Sequence, residues 1–325
     1  MKAKKTLAGL ALVGAIALTA SGCAGGGTTA GGGGDDVITV GFAQTGSESG
    51  WRSANTESMK TAFSSENGFN LIFNAADNKP EAQIAAVRSF INQGVDAIVL
   101  APIVTDGWDD VLKEAKDANI PVILEDRTVS ASEDLYASWV GLDFKKEGET
   151  AGKWVADNFG TTPTNLVVLE GTTGSSAATD RATGFNDAIK GTDIKVLDSQ
   201  TGNFTRAEGK TVMEGFLQKY GSQINLLFAH NDDMGLGALD AIKAAGLTPG
   251  TDIKIVTIDA VKDGMTALAD GEFNYIVECN PLLGPQLMEL AEQVVAGEQV
   301  PERVVTPDEA FDQQQAAAVL PDRKY

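Results

Sequence analysis

The chain has 325 residues, enough for about two domains. Hydrophobic residues make up 43% and charged residues 22%, an ordinary globular balance with ample material for a core. Acids outnumber bases 45 to 25, a formal net charge of -20, which argues against nucleic acid or an anionic membrane surface as a partner.

Residues 1–22 read as a signal peptide. Lys2, Lys4 and Lys5 form a charged start, and Leu7 to Ala20 form an apolar run too short to span a bilayer comfortably. Ala20-Ser21-Gly22-Cys23 resembles the cleavage box of bacterial lipoproteins, so Cys23 is expected to be acylated and to become the mature N-terminus. Residues 23–36, rich in Gly, Thr and Ala without apolar period, are then a lipidated flexible tether. With Cys23 acylated, Cys279 stands alone and no disulfide can form. No later stretch is long and apolar enough to span a bilayer.

From Val37 on, short β-rich runs alternate with helical patterns. Strands are expected at Ile38–Ala43, Asn70–Asn74, Ala97–Leu100, Val122–Leu124, Ser138–Gly141, Leu166–Leu169, Lys195–Leu197, Leu226–Ala229, Lys254–Ile258 and Tyr275–Val277. Several are continuous apolar runs, as parallel strands buried on both faces require. Pro80 to Gly94 shows the helical counterpart: Pro80 opens it, Ile84, Val87 and Ile91 form its stripe, and Gly94 stops it. The alternation predicts α/β architecture with two doubly wound parallel sheets, since ten strands are too many for one comfortable sheet.

Polar residues gather just past strand ends. Glu48, Trp51 and Arg52 follow the first strand, and Asp126 and Arg127 follow the fourth; Arg181, Phe204, Asn231, Asp259 and Glu278 complete the set. Carboxyl ends of strands share one edge of an open α/β sheet, so most of these can converge. The mixture suits a sugar: carboxylates and guanidinium forks take neighbouring hydroxyls, an amide both donates and accepts, and rings cover the C–H face.

Blander explanations compete. Trp51 or Phe204 alone is more often core or surface than a ligand platform. Asp126 and Arg127 alone could be a strand-end ion pair. Asp232 and Asp233 read as first-turn acids favoured by the helix dipole, and Arg206 and Lys210 as a solvated helix face. His230 is the single histidine and has no partner at metal or triad spacing, so neither metal nor cofactor is expected. Gly46 to Gly50 lacks dinucleotide-binding spacing, and Gly209-Lys210-Thr211 lacks the upstream Gly of a phosphate loop, Phe204 standing there instead.

Taken together, Gly46 to Arg52, Arg88-Ser89-Phe90, Gly94 to Ile98, Asp126-Arg127, Asp180-Arg181, Asn203 to Arg206 and Ala229 to Met234 resemble the ribose-type (type I) periplasmic binding proteins, most closely their galactofuranose-binding branch. The resemblance implies two domains joined by a three-segment hinge, with the sugar in the cleft between them. It places the first domain at residues 37–142 plus 279–305 and the second at 143–278 plus 306–325. It implies that Asp126 and Arg127 hold hydroxyls from the first domain, and Arg181, Asn231 and Asp259 from the second. Trp51 and Phe204 would sandwich the ring. Arg52 replaces the second aromatic residue of ribose binders, and Glu278 occupies a hinge position usually held by Gln.

The expected function is capture of a monosaccharide, galactofuranose or a related aldose, and its delivery to an ABC transporter permease. The expected protein is a monomer, exported and lipid-anchored, with the anchor as its one link to the membrane and no nucleic acid partner. A sugar sensor presenting its ligand to a membrane receptor is the alternative, and the cleft does not separate the two. A transcriptional regulator of this fold would carry a helix-turn-helix where this chain has its leader. A glycosidase using two of Glu48, Asp126 and Asp259 would need an acid of raised pKa. Here acids and arginines crowd together, which favours ionised carboxylates, so no catalytic residue is expected.

Overall fold

The structure, a computed structural model, describes Val37–Tyr325. The expected signal peptide, tether and Cys23 lie outside the described residues.

In chain order the strands and helices are β1 (Ile38–Gln44), α1 (Gly50–Ala62), β2 (Phe69–Ala75), α2 (Pro80–Gln93), β3 (Ala97–Leu100), α3 (Asp109–Asp117), β4 (Val122–Asp126) and β5 (Ser138–Gly141), then α4 (Phe144–Phe159), β6 (Thr164–Glu170), α5 (Ser176–Ile189), β7 (Ile194–Thr201), α6 (Arg206–Tyr220), β8 (Leu226–Ala229), α7 (Asp232–Ala244), β9 (Lys254–Asp259), α8 (Lys262–Ala269) and β10 (Tyr275–Glu278). The chain ends with α9 (Gly284–Val295), β11 (Arg303–Val305), β12 (Ala310–Phe311) and α10 (Gln313–Val319).

Two six-stranded sheets result, with strand orders β11-β5-β4-β3-β1-β2 and β12-β10-β9-β8-β6-β7. Every pairing is parallel except that of β10 with β12. The central strands β3, β4 and β8 are buried along their whole length, which is why β3, β8 and the first three residues of β4 are continuous apolar runs. The helix α2 starts on Pro80 and ends with Gly94 at φ 67°, a left-handed turn that glycine adopts without strain.

The chain passes between the sheets three times: from β5 to α4, from β10 to α9, and from β11 to β12. After the second passage α9 packs on α1 of the first lobe, and after the third α10 packs on α8 of the second. All ten expected strands are present. The two short ones, β11 and β12, were not expected, because three or two residues carry no readable alternation.

Candidate functional site

The site sits where the carboxyl ends of the two sheets face each other. Thirteen residues line a cavity between the lobes: Glu48, Ser49, Trp51, Arg52, Asp126 and Arg127 from the first lobe, Phe144, Ala177, Arg181, Phe204, Asn231 and Asp259 from the second, and Cys279 from the second passage. The lobes also touch around its mouth. Gly50 N donates to Asp233 Oδ2 at 2.7 Å, Thr105 N to Gly174 O at 2.9 Å, and Thr128 N to Ser176 Oγ at 3.0 Å. The cleft is therefore closed.

On the first lobe, Ser49 caps α1 by accepting from Arg52 N at 3.1 Å, which turns the next residues into the cleft. Trp51 is anchored by its indole N–H, which donates to Cys279 O at 2.6 Å. Arg52 is the hub. Its Nε lies 3.1 Å from Glu48 Oε1, its Nη2 2.6 Å from Asp126 Oδ2, and its Nη1 3.7 Å from Glu125 Oε2. Asn55 Oδ1 accepts from Nη1 at 3.2 Å, while Asn55 Nδ2 donates to Glu125 Oε1 at 2.7 Å. Arg127 donates from Nη1 to Ile103 O at 3.2 Å and leaves its buried Nε without a partner.

On the second lobe, Arg181 pairs with Glu147 at 2.7 Å and donates to His230 O at 2.7 Å, leaving Nη2 toward Asp259, 3.7 Å away. Phe204 lies against both lobes' cations, its ring centre 5.1 Å from the Arg127 guanidinium and 5.9 Å from that of Arg181. Asn231 caps α7 by accepting from Met234 N at 3.0 Å, and its Nδ2 donates to Phe204 O at 3.0 Å. Asp126, Phe204 and Asp259 all have positive φ, at 62°, 63° and 129°. Backbone strain in non-glycine residues costs about 1–3 kcal/mol each.

Burial opposes ionisation of Glu48, but Arg52 and Arg127 outweigh it and hold its carboxyl below the ordinary value. Arg52 and Arg181 lose solvation on burial, yet their carboxylate neighbours keep both firmly charged. Asp259 behaves differently. Burial raises it well above the ordinary value despite Arg181, and Asp232, Asp233 and Glu147 push the same way. Glu125 is pushed up to about 8 by burial and by Asp126. At Asp259, then, burial works against the ionised carboxylate that the crowd of acids and arginines favours, and Arg181 works for it.

Nine of the ten residues expected to bind ligand line the cavity; Glu278 does not. Its Oε1 pairs with Arg323 Nη2 at 2.7 Å and accepts from the Tyr325 hydroxyl at 2.7 Å, and its Oε2 accepts from Glu309 N at 3.1 Å. The cavity wall at this point is the next residue, Cys279, on the opposite face of the extended chain. Asp232 is a first-turn acid of α7, as expected, and does not line the cavity. It is fully buried, accepting from Thr257 Oγ1 at 2.5 Å and Val261 N at 2.8 Å, and burial pushes it up to about 7. Asn55, Glu125 and Glu147 had no place in the sequence reading, yet they brace the two arginines. Among the described residues no group of three or more His, Cys, Asp and Glu could hold a metal ion.

The periplasmic binding protein domain model matches residues 40–299. The chain belongs to the periplasmic binding protein family. It is 46% identical over 271 residues to the galactofuranose-binding protein YtfQ of Escherichia coli (strain K12), covering 82% of this chain and 85% of that one. A Mycobacterium smegmatis structure in complex with β-D-fucofuranose is 61% identical and superposes with a TM-score of 0.86, over 89% of this chain and 95% of that chain. The binding component of the arabinose ABC transporter of Shewanella sp. ANA-3, bound to α- and β-L-arabinofuranose, is 45% identical with a TM-score of 0.84, over 88% of this chain and 96% of that chain. These family relations make the protein an extracytoplasmic solute-binding protein rather than an enzyme.

Proposed function

We propose that this protein captures an aldose in its furanose ring form by closing its lobes over it, and hands it to the permease of an ABC transporter. The observation that carries the reading is the closed cavity walled by both lobes. Its wall mixes two aromatic faces with converging polar groups, the composition of a small-molecule site. Trp51 and Phe204 offer apolar faces, while Glu48, Arg52, Asp126, Arg127, Arg181, Asn231 and Asp259 offer donors and acceptors on both sides. Each arginine of the wall already has an acid within 4 Å, so an amino-acid carboxylate or a phosphate meets no uncompensated cation. Three relatives described with furanose sugars give the ring form its support.

Closure follows from where the ligand residues stand, because no open form satisfies all of them. The sugar binds the closed state better and shifts the population toward it. The three passages between sheets support domains at residues 37–142 plus 279–305 and 143–278 plus 306–325. Glu278 then acts in the hinge rather than on the sugar. The order of charged, apolar and small residues before Cys23 supports acylation there; Cys23→Ala should release the protein from the membrane fraction, and a wild type already free of it overturns the anchor.

Calorimetry with D-galactose, D-fucose, L-arabinose, D-ribose, D-glucose, an amino-acid panel and phosphate tests the function. Tight binding of one of the first three is expected. Tight binding of an amino acid or phosphate, with no sugar bound, overturns the reading.

A further inference from the structure

We propose that Glu147, which does not line the cavity, is the residue that positions Arg181 for the sugar and does so before the cleft closes. The proposal rests on the sugar-binding reading above and deepens it.

Two anchors fix the Arg181 guanidinium: Nε to Glu147 Oε2 at 2.7 Å and Nη1 to His230 O at 2.7 Å. Together they leave Nη2 as the nitrogen free for a ligand beside Asp259. Glu147 stands in α4, Arg181 in α5 and His230 at the end of β8, all on the second lobe. The grip is therefore complete without the first lobe. The helices hold it at backbone contact. A Cβ on Gly148 would come within 2.2 Å of Arg181 O, and one on Gly184 within 2.0 Å of Lys145 O. Neither position accepts a larger residue without separating α4 from α5 and pulling Glu147 off the guanidinium.

A purely structural role explains Glu147 poorly. Its side chain is 1% exposed and its Oε1 has no hydrogen-bond partner. A buried ion pair adds little net stability over an apolar pair of the same volume, so stability alone does not call for a carboxylate and a guanidinium between α4 and α5. What Glu147 supplies is direction. A guanidinium held at two nitrogens presents its third at a fixed angle, and fixed angle is what hydroxyl recognition needs. Arg52 differs in this respect, because its partners Glu48 and Asp126 themselves face the cavity.

The test combines calorimetry with nitrogen-15 NMR of arginine side chains, on wild type and Glu147→Gln. The sugar-free wild type should already show a restrained Arg181 Nε–H signal. The Glu147→Gln variant should bind the best wild-type sugar at least tenfold more weakly, with the Arg181 signal displaced and sugar-free melting lowered, because the buried Arg181 loses its closest acid. Unchanged affinity, or weakened affinity with the Arg181 signal unmoved, overturns the proposal. So does a wild type whose Arg181 signal becomes restrained only after sugar is added. Should Glu147→Gln fail to fold, Glu147→Asp keeps the charge but shortens its reach; a loss of affinity is expected, and unchanged affinity overturns the proposal. Wild-type protein that binds no sugar sinks the functional reading and the positioning role with it, whereas normal wild-type binding with an indifferent Glu147 sinks the positioning role alone.

Discussion

Gly171 gives the sharpest test of how the cavity is shaped. It follows β6, and a Cβ built on it would lie 1.9 Å from Phe204 Cζ and 2.4 Å from both Cε atoms. To restore ordinary carbon–carbon contact the ring must retreat about 1.5 Å. The Phe204 backbone cannot take up that movement, because it is held at φ 63° with its carbonyl bound by Asn231. The ring must therefore tilt into the cavity or press on the guanidiniums of Arg127 and Arg181. Gly171→Ala should destabilise the sugar-free protein by about 1–3 kcal/mol, the usual range for overpacking. Because the displaced ring enters the cavity proposed for the sugar, affinity should fall further. We expect a loss of about 2–3 kcal/mol, or roughly 30- to 150-fold in Kd. Calorimetry reads the affinity and differential scanning fluorimetry the stability. Adding Phe204→Leu to Gly171→Ala should recover stability more than affinity, since the clash goes and the ring face goes with it. Folded Gly171→Ala protein that binds sugar within twofold of wild type would refute the assignment of Phe204 to the sugar's wall.

Three further outcomes are expected. Arg52→Met strips the cation from Glu48, Glu125 and Asp126, and should destabilise the protein by about 3–5 kcal/mol in urea titration while abolishing sugar binding. Asp233→Ala removes a cross-cleft bond to Gly50 N that exists only when the lobes meet; stopped-flow should show faster sugar release, with a loss of about 0.5–2 kcal/mol in affinity and little change in sugar-free melting. Burial raises Glu125 to about 8 and Asp308 to about 9, so the folded protein keeps protons that the unfolded chain has released; their contribution to stability is intact below about pH 4, declines as pH rises and is fully lost above about pH 9, so sugar-free melting should fall across that window, less steeply in Asp308→Asn.

The fold was legible because the parallel strands are buried on both faces and announce themselves as apolar runs. The helix from Pro80 was legible at both ends because proline and glycine have fixed positional meaning. Residues beside the cavity were legible where they stand at a strand end, as Asp126 and Asp259 do, or just past one, as Asn231 does. What escaped is set by distance along the chain. Glu278 is drawn from the cavity by Arg323 and Tyr325, 45 and 47 residues later, and no local pattern reports such a pairing. Glu147, following two lysines in the first turn of a helix, reads as a solvated acid. The available signal was the glycine spacing, Gly148 and Gly152 in one helix and Gly184 in the next, which marks helices packed at backbone contact. Glu125 gave a signal too, a charged residue directly before Asp126 at the end of an apolar strand, but its partner Arg52 lies across the lobe.

Carbon-13 NMR of D-galactose labelled at C-1, added to the purified protein, addresses the central claim most directly. The anomeric carbon of a bound furanose is resolved from that of either pyranose. A single bound furanose signal, displaced by L-arabinose and lost in Arg181→Ala, is the predicted result. A bound pyranose signal alone, or no bound signal at saturating sugar, would contradict an aldofuranose held in the closed cleft.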